Sequence, residues 1–366
     1  MDSIKQHFPA LHHITYLDTA ASGVVPEPVM AWRREHEIAL QQEPLAFRSG
    51  IPDVLQSTRQ AIAAFTNAKE KEVALIPNFS FGINSILEAL PKNQKIAILN
   101  NEYPSVTWPV LSRKFTTYSI DTKPNLEENI LSVIDKQKPD VFLFSIVQWL
   151  DGIKIDQEFL KSLKEKFPNL LLIADGTQYI GTEALDFSRS PIDILATSAY
   201  KWLHSGFGSG FLLFKKEVQK RFTIKTIGFN SAETFESPWH STSFIKHFEP
   251  GHLPSLNHGS IEQSLKFLNT MHPESCYKHI QQLANKAKEK FLEMGLLPEY
   301  IANRPEHSSI FNLKGNATLF KELAENNIAC SMRGNGIRVS FHYYNNQEGL
   351  NHLVHVLKKY KRPFVM

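Results

Sequence analysis

Two stretches decide the fold: LLLIADGTQYIG (170–181) and, a few residues on, DILATSAYKWLHSGFGSG (193–210). Each opens with a short, nearly unbroken apolar run. A strand exposed on one face alternates apolar and polar residues, whereas an unbroken run fits a strand covered on both faces, as in a mostly parallel sheet between helices. Each run ends on a residue with chemistry, Asp175 in the first and, 26 residues later, Lys201 just past the second. The carboxyl ends of buried parallel strands are where open α/β sheets place their ligands.

The same texture extends outward. EVALIPN (72–78), KIAILNN (95–101), TTYSID (116–121), VFLFSIVQ (141–148) and GFLLF (210–214) read as further strands, with helical periodicity after residue 79 and over about 125–136 and 157–167. Such alternation predicts an α/β domain, set at 16–256. From 257 a long helical region, SIEQSLKFLNTMHPESCYKHIQQLANKAKEKFLEMG, precedes a strand, a helix and two further strands. This tail, 257–366 together with 1–15, reads as a smaller α+β domain. A helix is expected at about 27–42, opened by Pro26 and Pro28, and the first fifty residues are expected to pack on the small domain or a partner subunit.

At 366 residues the chain is long enough for about two domains of roughly 150 residues each. Apolar residues make up 42%, with 25 Phe and 10 Tyr, so a large core is available. Forty Lys and Arg against 37 Asp and Glu leave a formal charge of +3, and the densest basic cluster, KKYKR (358–362), reads as a solvated face. Nucleic acid is therefore not an expected partner. Cys276 and Cys330 have no partners at disulfide-framework or metal-ligand spacing. With no signal-type leader and no run of about 18 apolar residues, a cytoplasmic protein without membrane contact is expected.

Alone, Asp175 reads more readily as a turn or helix-capping acid, and Lys201 as a surface charge. Together, at the ends of two buried strands, they are the pair a pyridoxal phosphate site requires. An amine in apolar, aromatic surroundings such as Tyr200 and Trp202 has a lowered pKa and can carry the cofactor as a Schiff base, and a carboxylate can hold the proton of the pyridine nitrogen.

From this point the sequence resembles the class V aminotransferase group of fold-type I pyridoxal-phosphate enzymes, which includes cysteine desulfurases, kynureninases, selenocysteine lyases and isopenicillin N epimerase-like proteins. YLDTAASGVVP (16–26), NFSFGIN (78–84), NEYPSVTWP (101–109), SIVQWLDGIKID (145–156), ADGTQYIG (174–181), TSAYKW (197–202) and RGNGIRVSFHYYNN (333–346) carry the resemblance in order over nearly the whole chain. It implies a homodimer with active sites at the subunit interface, acting on a small amino acid and a 2-oxo acid.

The resemblance makes Lys201 the cofactor lysine, Asp175 the partner of the ring nitrogen and Gln178 a donor to the phenolic oxygen. Phe79, Ser80 and Ser198 would hold the phosphate, with Tyr200 where many relatives have His. Tyr103 would stack on the ring and serve catalysis, and Gln148 would lie near the cofactor oxygen. Arg338, in the apolar strand GIRVSFH where an arginine needs an anion, would bind the substrate carboxylate. Ala21 and Arg48 would add to the substrate site and His252 to the cofactor site, with Arg48 and His252 reaching from the neighbouring subunit.

Other signals are weaker. GFGSG (206–210) leads into a strand, whereas a dinucleotide fingerprint opens a helix. His12, His13, His252 and His258 have no zinc-site spacing. Desulfurases of the family carry a nucleophilic cysteine on a flexible loop before the arginine segment and tend to have His in place of Tyr103. IACSMRGNGIRVS leaves no room for such a loop, and Cys330 is expected to be a buried, inert thiol. Transamination is therefore the leading expectation, with lyase, epimerase or desulfurase-like chemistry as alternatives. A non-catalytic binding protein is disfavoured because Lys201, Asp175 and Arg338 are all present. The Ser-, Phe- and Trp-rich run at 227–244 is read either as a cover for the site or as a surface loop.

Overall fold

A computed structural model describes residues 2–232 and 242–361. The chain enters through a two-residue strand, β1 (Thr15–Tyr16), and two helices, Glu27–Gln42 and Pro44–Thr66. Seven strands follow: β2 (Val73–Ile76), β3 (Lys95–Leu99), β4 (Thr116–Ile120), β5 (Val141–Ser145), β6 (Leu171–Asp175), β7 (Ile194–Ser198) and β8 (Gly210–Phe214). They form one sheet in the order β2-β8-β7-β6-β5-β3-β4. Only β8 runs against its neighbours; the other pairings are parallel.

Successive residues of each strand enter opposite cores. Phe142 and Phe144 of β5 and Leu172 and Ala174 of β6 pack on one side, and Val141, Leu143, Leu171 and Ile173 pack on the other. Helices cover both faces, which is why the runs carry no polar alternation. The Asn78 side chain caps the helix Phe79–Ala89 by accepting from the Phe81 amide, and Asp156 caps Gln157–Lys166.

After the helices Ser255–Thr270 and Pro273–Glu293 come β9 (Ile310–Lys314), β10 (Ile328–Ala329), β11 (Ser331–Arg333), β12 (Gly336–Ser340) and a final helix, Gln347–Lys361. β12 lies between β9 and β11 in an antiparallel sheet, and β1 pairs in parallel with β10. The segment after β1 continues along the small sheet, where Ser340 N donates to Leu17 O, and reaches the lysine turn, where Gly23 N donates to Tyr200 O.

Two features differ from the expected pattern. The helical tail breaks at Met271–His272, where His272 takes a left-handed φ of 56°. The 23-residue helix Pro44–Thr66 was not anticipated, because Gly50 and Pro52 interrupt its first half. Its apolar side packs on Ser255–Thr270, where Ser57 Oγ donates to Glu262. In the run at 227–244, residues 233–241 lie outside the described residues, as does Arg362 of the basic cluster. Among the described residues, no helix is long and apolar enough to cross a membrane.

Candidate active site

Because β5, β6 and β7 are parallel and adjacent, their carboxyl ends bring Ser145, Asp175 and Ser198 to one edge of the sheet. A cavity of about 410 Å³ opens there. It is lined by Phe79, Ser80, Tyr103, Ser145, Trp149, Asp175, Gln178, Ser198, Tyr200 and Lys201, among others.

Lys201 lies in the turn after β7 and is 7% exposed. Its Nζ stands 5.6 Å from the ring centre of Tyr103 and 5.8 Å from that of Tyr200. Burial lowers the amine's pKa to about 8, against the attraction of Asp175 and with help from Arg338 and Arg333. Asp175 ends β6 and is buried, with Oδ1 accepting from Thr177 N at 2.8 Å. Burial raises its carboxyl above the usual range, while the bonds from Thr177 and the charge of Lys201 pull it back.

At the far end, the amino-terminus of Phe79–Ala89, with Asn78, Phe79 and Ser80, lines the cavity, and a helix amino-terminus suits a phosphate. The Phe79 amide is already held by Ser198 Oγ at 2.9 Å, and Ser80 Oγ donates to Ser105 Oγ at 2.7 Å. Gln178 is clamped from both sides: its Nε2 donates to Ala20 O at 2.9 Å, and its Oε1 accepts from Trp202 Nε1 at 2.7 Å.

Tyr103 forms one wall and meets Trp149 edge-on, with ring centres 5.7 Å apart. Trp149, which the sequence reading passed over, lines the cavity, whereas its neighbour Gln148 lies behind the wall and donates to Glu102 Oε1 at 3.0 Å. Glu102 also drew no attention in the sequence. It sits in a polar turn and is buried only because the end of β5 closes over it.

Arg338 lies on β12 and is 2% exposed. Its Nη1 donates to Trp149 O at 2.8 Å, its Nη2 is 3.9 Å from Asp18 Oδ1, and its Nε is buried without a partner among the described residues. Both Asp18 oxygens accept from Ser331 Oγ, at 2.8 and 2.6 Å. Asp18 belongs to YLDTAAS, a stretch from which the sequence reading took no role for it. Ala21, half-buried, donates its amide to Asp18 O. His252 and Arg48 are exposed and do not line this chain's cavity; His252 meets Phe229 edge-on at 5.5 Å. Cys330 lies between β10 and β11, half-buried rather than buried. Its thiol is pushed up to about 12, first by burial and then by Asp18.

These residues fit pyridoxal phosphate. The cavity offers an amine of lowered proton affinity, a buried carboxylate on the neighbouring strand, a fixed amide and a helix amino-terminus. Close by, a buried guanidinium keeps one N–H unpartnered, a costly state that an incoming carboxylate would relieve. Among the described residues, no three His, Cys, Asp or Glu side chains are grouped to hold a metal ion.

The sequence matches the family model described as Aminotransferase class-V over residues 15–353. The Bacillus subtilis protein named "Uncharacterized aminotransferase YcbU" is 22% identical over 96% of both chains. A Ureaplasma parvum protein named "Probable cysteine desulfurase" is 22% identical over 99% of this chain and 98% of its own. Among solved structures, a lysine-to-alanine mutant of C-DES with glycine covalently linked to its PLP cofactor superposes with a TM-score of 0.89, at 19% identity, over 96% of this chain and 98% of its own. With the matched region spanning most of its length, the chain belongs to the class V aminotransferase family and takes that family's cofactor, pyridoxal phosphate.

Proposed function

We propose that the chain is an aminotransferase that moves the amino group of a small amino acid to a 2-oxo acid. One observation carries this reading: Lys201 is buried between two aromatic rings, its amine poised near pKa 8 beside a strand-end carboxylate. Lys201 would hold the cofactor covalently and Asp175 its ring nitrogen, with Gln178 at the phenolic oxygen. The first turn of Phe79–Ala89, with Ser80 and Ser198, would take the phosphate, and Tyr200 would close that end. Bound there, pyridoxal phosphate supplies an electron sink for negative charge at the substrate Cα.

The chain's own groups do the rest. Asp175 holds a proton at the ring nitrogen through a charge-assisted hydrogen bond. Arg338 orients the substrate through its α-carboxylate, and Tyr103 fixes the plane of the ring by stacking. The Lys201 amine takes the proton from Cα and later returns one, acting as base and then acid; a pKa near the working pH suits both roles.

The reading extends to a cytoplasmic homodimer whose subunits each divide into a domain at 16–256 and a domain at 257–366 joined by 1–15. His252 and Arg48, exposed and not lining their own cavity, would serve the neighbouring subunit's site.

An absorbance spectrum, then borohydride reduction and peptide mapping, tests the core of this reading. A pyridoxyl adduct on Lys201 is expected, with amino transfer to pyruvate or 2-oxoglutarate in a donor screen. A colourless protein that takes up no pyridoxal phosphate overturns it.

A second reading is elimination at Cβ of a sulfur-containing amino acid. Its support is the likeness to C-DES, described as a cystine C–S lyase, and to proteins named cysteine desulfurase. Lys201 and Arg338 would serve this reaction equally, whereas Cys330 is a poor sulfur acceptor with its thiol at about 12. Release of pyruvate and ammonia without any added oxo acid decides for elimination.

A further inference from the structure

Glu102 is a buried carboxylate that the reaction as described does not use. Its Oε1 accepts from Ser145 N at 2.7 Å and from Gln148 Nε2 at 3.0 Å. Its Oε2 accepts from Ser145 Oγ at 2.5 Å and from Tyr103 N at 3.3 Å. Burial raises its carboxyl above the usual range, while the bonds from Ser145 and Gln148 pull it back; in all, four donors meet the four acceptor positions of a carboxylate.

Three of these bonds join the same two segments, and the fourth, from Tyr103 N, closes the turn on itself. Glu102 lies between Asn101, in the left-handed region at φ 62°, and Tyr103, which leads into the helix Pro104–Ser112. Ser145 and Gln148, its partners on the other segment, sit at the end of β5 and in the turn after it. A second tie runs the other way, with Trp149 Nε1 donating to Asn101 O at 3.1 Å. Between the two ties stand the rings of Tyr103 and Trp149, both facing the cavity. Ser145 pairs in register with Asp175, so the clamp also fixes the strand end beside the Asp175 carboxylate.

We propose that Glu102 is a positioning residue that locks the 101–103 turn to the end of β5 and so sets the aromatic wall of Tyr103 and Trp149 against the cofactor. Resting on the pyridoxal-phosphate reading above, this assigns Glu102 a role in orienting the ring and not in proton transfer. A buried carboxylate is costly, and a merely structural turn could be closed with neutral groups.

The test compares holoprotein of the wild type with Glu102→Gln and Glu102→Ala, reading visible circular dichroism of the bound cofactor, its dissociation constant and the melting temperature. Gln puts an NH₂ donor among four donors. Both variants should still form the borohydride adduct on Lys201. Both should show a weakened visible dichroism band and cofactor binding about tenfold weaker, as expected for losing a charge-assisted hydrogen bond. Kinetically, kcat should fall more than the KM for the amino acid.

Should the Glu102 variants fail to fold, Ser145→Ala, which removes the Oε2 hydroxyl donor alone, should move dichroism and affinity in the same direction. Unchanged dichroism and affinity in the folded variants overturn the proposal, and a lowered melting temperature with both unchanged makes Glu102 purely structural. A wild type that binds no pyridoxal phosphate overturns the functional reading itself, an outcome distinct from variants that bind it as well as the wild type.

Discussion

The carbonyl oxygen of Trp149 accepts a 2.8 Å hydrogen bond from Nη1 of Arg338, tying a wall of the cavity to the small sheet. The bond tethers one corner of the guanidinium and leaves Nε, buried and unpartnered, with Nη2 only loosely paired to Asp18 at 3.9 Å. Burial lowers the guanidinium to about 10, far enough above neutrality for it to stay charged. It is a held cation whose Nε has no partner among the described residues, a group that a carboxylate would satisfy.

Arg338→Ala should therefore raise the KM for the amino acid by about tenfold to a hundredfold, since a hydrogen bond to a charged group contributes about 1.5–3 kcal/mol. Arg338→Lys should recover only part of this, because an ammonium cannot make the paired contact. Steady-state kinetics on the best donor checks both, and an unchanged KM would make Arg338 structural.

Lys201 gives a pH signature in the cofactor-free protein. Its amine is lowered from 10.5 to about 8, chiefly by burial. Between these values the unfolded chain binds the proton and the native chain does not, so stability rises with pH through that window; below about 8 the full cost of burying the charge applies. Relative to Lys201→Met, the wild type should gain on the order of 2 kcal/mol between about pH 7.5 and 9.5. Urea denaturation at the two pH values measures this. Equal differences at both would show an amine of ordinary pKa.

Gly23 and Gly50 should respond oppositely to alanine. A Cβ on Gly23 would stand 2.0 Å from Lys201 O and 2.6 Å from His204 Nδ1, neither of which can yield without moving the lysine turn. Gly23→Ala should cost about 1–3 kcal/mol through overpacking and reduce cofactor retention. At Gly50, inside Pro44–Thr66, a Cβ meets nothing within 4 Å. Gly50→Ala should therefore stabilise by roughly 0.5–1 kcal/mol. Melting curves of the two variants check the pair.

What the sequence disclosed follows from how each residue is buried. Asp175 and Lys201 were legible because each terminates an apolar run, and the strands themselves carry the signal. Glu102 and Trp149 were not, since their neighbours come from a separate strand: the amide on Glu102 belongs to Ser145, 43 residues away. NNEYP is polar and reads as a solvated turn until β5 is laid beside it. The helix Pro44–Thr66 was hidden for a similar reason. Its stability comes from packing on Ser255–Thr270, where Thr58 Oγ1 reaches His258 O, 200 residues along the chain. Tertiary packing of this kind overrides the local cost of Gly50 and Pro52.

Cys330 separates the two readings of sulfur chemistry. It stands between β10 and β11, fixed by pairing on both sides, with its thiol raised to about 12 by burial and by Asp18. At neutral pH almost none of it is thiolate, so it can neither attack a substrate sulfur nor carry a persulfide at a useful rate. Cys330→Ser should therefore leave turnover within about twofold of the wild type, whether the reaction is amino transfer or direct elimination. Alkylation of the native protein should likewise spare activity. Abolished turnover in the folded Ser variant, together with a persulfide found on Cys330 by mass spectrometry, would instead establish a desulfurase in which substrate binding moves this strand and activates the thiol.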